Sequence, residues 1–290
     1  MSASDRLGSG DDDWQRWVGR REIHHDTVSL SSLERMSATF DEPDPGWRDG
    51  DPVPPLWHFM YFAPVAPHSG IGPDGHPTRG DFLPPIPLPR RMFAGARATC
   101  HRPLKAGETI RREAEIAAVN RKTGATGELV FVLVRNSIFG GDELALVEEQ
   151  DIVYRDLEAP AKSGKVTQSS VPNPDWRRTI TVDPVILFRY SALTFNGHRI
   201  HYDRRYVMEV EGYPGLVLHG PLIASYLTAL CRDNTDNRPI RGHTFRARRA
   251  LFDTEPFEVV GALNDDGKGA QLEARDASGA TAMTVEVEFA

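Results

Sequence analysis

The sequence predicts an α+β protein in which an antiparallel sheet wraps around a central helix, with that unit present twice. Three observations carry the expectation. Segments of the first half recur in order in the second: "LERMSATFD" (33–41) against "LFRYSALTFN" (187–196), then "FAGARATCHRPLKAGETIRREAEI" (93–116) against "FRARRALFDTEPFEVVGAL" (245–263). Each half then ends on two apolar-alternating runs joined by a glycine-bearing turn, 127–155 and 269–289, the pattern of a β-hairpin. Finally, "PLIASYLTALC" (221–231) is apolar almost all round, as a fully buried helix must be.

Taken in chain order, the first copy pairs Arg35 with Arg189, Ser37 and Ala38 with Ser191 and Ala192, and Phe40 and Asp41 with Phe195 and Asn196, allowing one inserted leucine. Its central helix is expected to be short, at "LWHFMYFA" (56–63), with a long Pro/Gly loop to follow. A Ser-, Pro-, Lys- and Gly-rich stretch without apolar periodicity divides the chain into units at 1–157 and 173–290, with a linker at 158–172. In the second copy Asp183 before Pro184 starts a helix, because the carboxylate caps orphan amides and proline suits the first helical position. Asp203 is expected to cap a short helix, "RRYVMEV", in the same way, and four strands should complete the unit.

Composition sets outer limits. Charged residues make up 26% and the net charge is −7, so nothing attracts the chain generally to nucleic acid. The polar, acidic start lacks the order of a secretory signal, and the apolar run "LVFVLV" (129–134) is only strand-sized. Cys100 and Cys231 form no metal or redox spacing. The expectation is a cytoplasmic protein without disulfides or membrane spans.

Chemistry concentrates in "FNGHRIHYD" (195–203), where Asn196 and Gly197 mark a bend. Asn196 and His201, five apart across that bend, can face one pocket. A neutral imidazole can take a proton from water and return it, whereas an amide can only hold the water; His201 is therefore the general acid–base, alone or helped by Asp203. Gly220 opens the buried helix, where unpaired amides and the positive end of the helix dipole stabilise a developing oxyanion. Such a pair suits addition of water to a double bond conjugated with a thioester, or the reverse dehydration.

"YSALTFNGHRIHYD" followed by "YPGLVLHGPLIASYL" resembles the MaoC-like hot-dog hydratases and dehydratases, the R-specific enoyl-CoA hydratase superfamily. The resemblance implies a double hot-dog fold and covers nearly the whole chain. It places the family's catalytic aspartate on Asn196, its catalytic histidine on His201 and its helix-opening glycine on Gly220. The family's bend reads Asp-x-Asn-Pro-x-His; here asparagine replaces the acid, and His198 and Arg199 fill the middle positions. With "PLPRRMFAGARATCHRPLKAGE" (87–108), the chain is more similar to the branch holding mesaconyl-C4-CoA and itaconyl-CoA hydratases and the mitochondrial-type 3-hydroxyacyl-thioester dehydratase.

That branch implies hydration of a short, branched, dicarboxylic enoyl-CoA, with CoA as part of the substrate, no separate cofactor, and a homodimer. Arg199, Arg90 and Arg91 are candidates for the substrate's carboxylate. His198, Asp203 and His219 complete the expected substrate-contacting set, His198 by holding the bend. Alternatives are a dehydratase of fatty acid synthesis and a non-catalytic acyl-thioester-binding subunit. A hot-dog thioesterase usually carries an acid on its central helix, and 221–231 has none. Other motifs read blandly. "GIGPDG" (70–75) matches GxGxxG without the strand–turn–helix context and is a loop, "HHD" (24–26) is surface decoration, and the His198/His201 pair lacks a third imidazole at metal-binding spacing. "FRARRA" (245–250) offers arginines either to solvent or to the phosphates of a CoA nucleotide.

Overall fold

The computed structural model describes residues 14–43, 46–124, 127–155 and 169–290. The first half supplies β1 (Arg21–Thr27) and, from runs richer in alternating apolar and β-branched residues, β2 (Arg90–Cys100), β3 (Thr109–Gly124), β4 (Gly127–Gly140) and β5 (Glu143–Arg155). The second half supplies β6 (Trp176–Ile180), β7 (Ile240–Ala247), β8 (Phe257–Leu263), β9 (Gly269–Arg275) and β10 (Thr281–Phe289). Four α-helices with described bounds accompany them: α1 (Leu30–Thr39), α2 (Pro184–Leu193), α3 (Arg204–Glu209) and α4 (Gly220–Asp233).

The α+β class and the internal repetition hold, with one difference from the expected pair of sheets. All ten strands form a single antiparallel sheet in the order β1-β3-β4-β5-β2-β7-β10-β9-β8-β6. The halves join where β2 pairs with β7, from Gly95 opposite Arg246 to Thr99 opposite Gly242. At that seam a Cβ on Gly95 would lie 2.4 Å from the Phe245 carbonyl oxygen, so only glycine permits the approach. Pairing the two edge strands satisfies backbone groups that separate sheets would leave open.

α4 is the central helix of the second half and packs on β8, β9 and β10. Leu222, Ala224, Leu227 and Cys231 are fully buried there, and each large apolar side chain contributes roughly 1.5–3 kcal/mol by leaving water. Among the described residues the first half has no equivalent; its 56–63 segment, expected to be a short central helix, makes only a single 3-10 turn, Trp57–Met60. Asp183 caps α2 by accepting from the Ile186 amide at 2.9 Å, with Pro184 in the first turn. Asp203 likewise accepts from the Tyr206 amide at 2.9 Å and caps α3.

Two strands have no counterpart in the sequence expectation, β1 and β6, the latter paired with β8. "REIHHDT" forms β1 against β3, so "HHD" is part of the sheet, and Asp26 accepts from the Phe62 amide at 2.8 Å. Of the expected linker, 158–168 lies outside the described residues. Its end is anchored rather than free: the hydroxyls of Ser169 and Ser170 donate to the buried Glu273 carboxylate at 2.8 and 2.9 Å. Among the described residues, no helix is long and apolar enough to cross a membrane.

Candidate active site

The bend follows directly from the end of α2. Phe195 takes a left-handed conformation (φ 49°), which turns the chain, and the Asn196 amide donates back to the Ser191 carbonyl at 2.8 Å. The Asn196 side-chain oxygen then accepts from the His198 amide at 3.0 Å, an Asx turn that closes the bend. A 3-10 turn, Arg199–His201, carries His201 inward.

His201 is 7% exposed, and its Nδ1 donates to the Val217 carbonyl at 2.7 Å. A carbonyl can only accept, so Nδ1 holds the proton and Nε2 presents a lone pair. Burial lowers the pKa of His201 to about 4, partly offset by the Val217 hydrogen bond, with His76 adding to the depression. The imidazole is therefore a neutral proton acceptor throughout the physiological range.

The same ring stacks on His219, with centroids 3.6 Å apart and planes 18° from parallel. His219 is the N-cap residue of α4 and directly precedes Gly220, so the stack sets His201 against the start of the central helix. Ser191 holds His219 in turn, Oγ to Nε2 at 2.8 Å, while burial depresses its basicity strongly. By position the first amides of α4 have no partner within the helix. A Cβ on Gly220 would meet only a methionine methyl, Met283 Cε, at 3.8 Å. The stack thus places the His201 ring beside the residue that directly precedes Gly220.

The arginines divide. Arg199 donates through Nε and Nη2 to Asp203 at 3.1 and 2.7 Å, through Nη1 to the Pro73 carbonyl at 3.0 Å, and lies over the Tyr206 ring. Both partners of that pair are therefore bonded to each other, and Asp203 also to the α3 cap. The i,i+4 ion pair competes with the expected role. Arg90 is likewise bound to Glu211, to its side chain at 3.1 Å and its carbonyl at 2.6 Å. Arg91 differs: it meets no acidic side chain among the described residues, and its charge acts on His76 and His198. In the "FRARRA" segment, Arg249 is paired with Asp276, while Arg246 and Arg248 are exposed.

What the sequence did not reveal is the contribution of the first half. The loop containing "GPDGHP" crosses to the bend and docks on it, backbone to backbone. The Arg199 amide donates to the Asp74 carbonyl at 2.9 Å. Gly75 (φ +90°) sits so close that a Cβ there would fall 1.9 Å from the Gly197 carbonyl oxygen. The docking brings the His76 ring 4.1 Å from that of His198, which is itself 5.5 Å from His201. Asp74 Oδ2 accepts from His76 Nδ1 at 3.1 Å. Asp74, His76 and His198 together place ligand-type atoms within 4.8 Å of one another, a grouping that the spacing of the second half alone did not show.

The first half also holds a cavity of about 160 Å³, lined among others by His58, Tyr61, Arg112, Glu148 and Thr194. Its polar floor is a buried pair, His58 Nε2 to Glu148 Oε1 at 3.2 Å. Thr194 connects it to the head of the bend, but His201 does not line it.

Residues 56–253 match the hydroxyacyl-thioester dehydratase type 2 family. The chain is 47% identical over 277 residues to the mesaconyl-C(4)-CoA hydratase of Chloroflexus aurantiacus, covering 96% of this chain and 98% of that protein. It is 26% identical over 230 residues to the mitochondrial hydroxyacyl-thioester dehydratase type 2 of Schizosaccharomyces pombe, covering 71% and 76%. Among solved structures, a MaoC-like dehydratase from Phytophthora capsici superposes with a TM-score of 0.69 at 14% identity, over 94% of this chain and 95% of that one. A Mycobacterium tuberculosis protein described as a double hotdog fold superposes at 0.59 with 12% identity, over 94% and 96%. The fold of the chain is that of the double hot-dog proteins.

Proposed function

Because the chain belongs to the hydroxyacyl-thioester dehydratase type 2 family and is a hydro-lyase, we propose that it hydrates a short, branched, dicarboxylic enoyl-CoA of the mesaconyl-C4 type. The observation that carries this is the 47% identity to a mesaconyl-C(4)-CoA hydratase along essentially both full chains.

The site geometry supports a simple sequence of events. The Nε2 lone pair of His201 takes a proton from water as the water oxygen bonds to C3 of the enoyl group. The C2–C3 π electrons move toward the thioester carbonyl, whose oxygen becomes enolate-like and is held by the Gly220 N–H and the dipole of α4. The His201 imidazolium then gives its proton to C2, and the balance is one water added. Asn196 keeps its amide N–H groups for the water, since its oxygen is engaged by the His198 amide. Arg91, lacking an acidic partner among the described residues, is the arginine suited to the substrate's carboxylate. Exposed Arg246 and Arg248 suit the CoA phosphates, and a cytoplasmic homodimer completes the reading.

The family match favours a second reading, dehydration of a 3-hydroxyacyl thioester on a carrier protein. Loss of enoyl-thioester ultraviolet absorbance, followed across a panel of CoA and carrier-protein esters, separates the two. Mesaconyl-C4-CoA should be turned over with the highest kcat/KM; a clear preference for carrier-bound or straight-chain esters would replace the first reading with the second.

A further inference from the structure

The replacement of the bend's acid by Asn196 leaves the histidine cluster without a carboxylate on its own segment, since Asp203 is consumed by Arg199 and the α3 cap. When His201 takes a proton, a positive charge appears among His198, His219 and His76, with Arg91 adding to the repulsion. A buried cation of that kind needs a counter-charge. The structure holds one, and it comes from the other half of the molecule. Asp74 accepts from both the ring and the backbone amide of His76, at 3.1 and 3.0 Å, which fixes the imidazole. The loop carrying them is fixed to the bend by the Asp74 carbonyl, the Pro73 carbonyl and the contact between Gly75 and Gly197.

Resting on the function proposed above, we propose that Asp74 and His76 form a carboxylate–imidazole pair, lent by the first half, that takes the place of the acid missing at Asn196 by positioning and charge-balancing His198 and His201. These are positioning residues: His76 packs against His198, and Asp74 acts through His76. Burial opposes the Asp74 charge, but the hydrogen bonds from His76 and the field of His198 hold its carboxyl below the usual range, so it remains ionised wherever the enzyme works. The other groups facing this cluster are Arg91, Arg79, Tyr154 and Tyr206, with the Arg199–Asp203 pair on the bend itself.

The test is a double-mutant cycle on the intact protein. Asp74→Asn preserves shape and the loop's turn while removing charge; it should lower kcat about 10²-fold with little change in KM and an unchanged Tm. Asn196→Asp, which restores an acid within the bend, should recover at least tenfold of that loss in the Asp74→Asn background. His76→Ala should lose activity comparably and regain part of it with added imidazole. A merely structural loop would respond to neither rescue. Hydration by the unaltered protein with Asp74→Asn equally fast would overturn this inference alone, whereas no turnover by the unaltered protein would overturn the proposed function as well. Stoichiometric metal in the purified protein, lost in both variants, would also overturn it, because the imidazole nitrogens would then be ligands.

Discussion

The two halves of the sheet are built from the same succession of strands and differ in what they wrap. The second half encloses α4, fourteen residues long, whose N-cap residue His219 stacks on the buried His201 ring. At the corresponding place the first half makes a single 3-10 turn, Trp57–Met60, and spends the chain on a Pro/Gly loop that reaches across to the bend of its partner. The difference teaches that the copy without a long central helix still reaches the bend of the other, through its loop. A long helix offers fixed dipoles at one point, whereas a loop can carry side chains to a site that another unit has built.

The largest effect in breaking this division of labour is expected at His201. His201→Ala should lower kcat by about 10²–10⁴-fold while the protein stays folded, as measured by enoyl absorbance and circular dichroism. The pH profile sharpens the same point. The working form of His201 is neutral, and its pKa is lowered to about 4, so kcat/KM should stay level from pH 8 to about 5 and fall only as pH drops toward 4. Half-loss near 6.5 would mean that the imidazole is not buried in the working enzyme.

The amide of α4 comes next. Gly220→Pro replaces the N–H by a ring carbon, and the backbone accepts it: His219 has φ −65° and ψ 132°, the conformation favoured before proline. Activity should fall by about 10²–10³-fold with Tm nearly unchanged. At the seam between the halves, Gly95→Ala should reduce stability by roughly 2–3 kcal/mol, measured by urea unfolding, because its Cβ would strike the Phe245 carbonyl oxygen.

Buried histidines give a stability effect of known sign. His243 in β7 is 3% exposed, neither ring nitrogen has a partner among the described residues, and burial lowers its pKa to about 4. The unfolded chain takes up protons below about pH 6.5 that the folded state refuses, so stability is full above that pH and declines as pH falls toward 4. His243→Leu should flatten this decline, seen as a smaller drop in Tm between pH 7 and 5. The smallest effect concerns the two remaining arginine candidates. Arg91→Met should raise KM for a dicarboxylic ester more than for crotonyl-CoA, while Arg199→Met should affect both alike.

Local chemistry was legible in the sequence and long-range docking was not. Asp183 and Asp203 were readable as caps because a cap is decided within four residues. α4 was readable from its apolar composition, and the hairpins from their glycine turns. β1 and β6 sit at the two ends of the sheet, where "REIHHDT" and "WRRTI" face solvent and keep no clean alternation. The partner of Arg199 is local as well: Asp203 lies four residues on, so their ion pair can be read from the sequence spacing. Asp74 and His76 carried no local signal, since their place depends on Gly75 meeting Gly197 across more than a hundred residues of chain.

The central claim is that one thioester is held between His201 Nε2 and the Gly220 amide. A crystal structure with the 3-hydroxyacyl-CoA product bound tests it most directly. The account predicts the thioester oxygen about 2.7–3.1 Å from the Gly220 nitrogen and the 3-hydroxyl within hydrogen-bond reach of His201 Nε2. An acyl group lodged instead in the His58–Glu148 cavity of the first half, with the α4 amides facing no ligand, would contradict it.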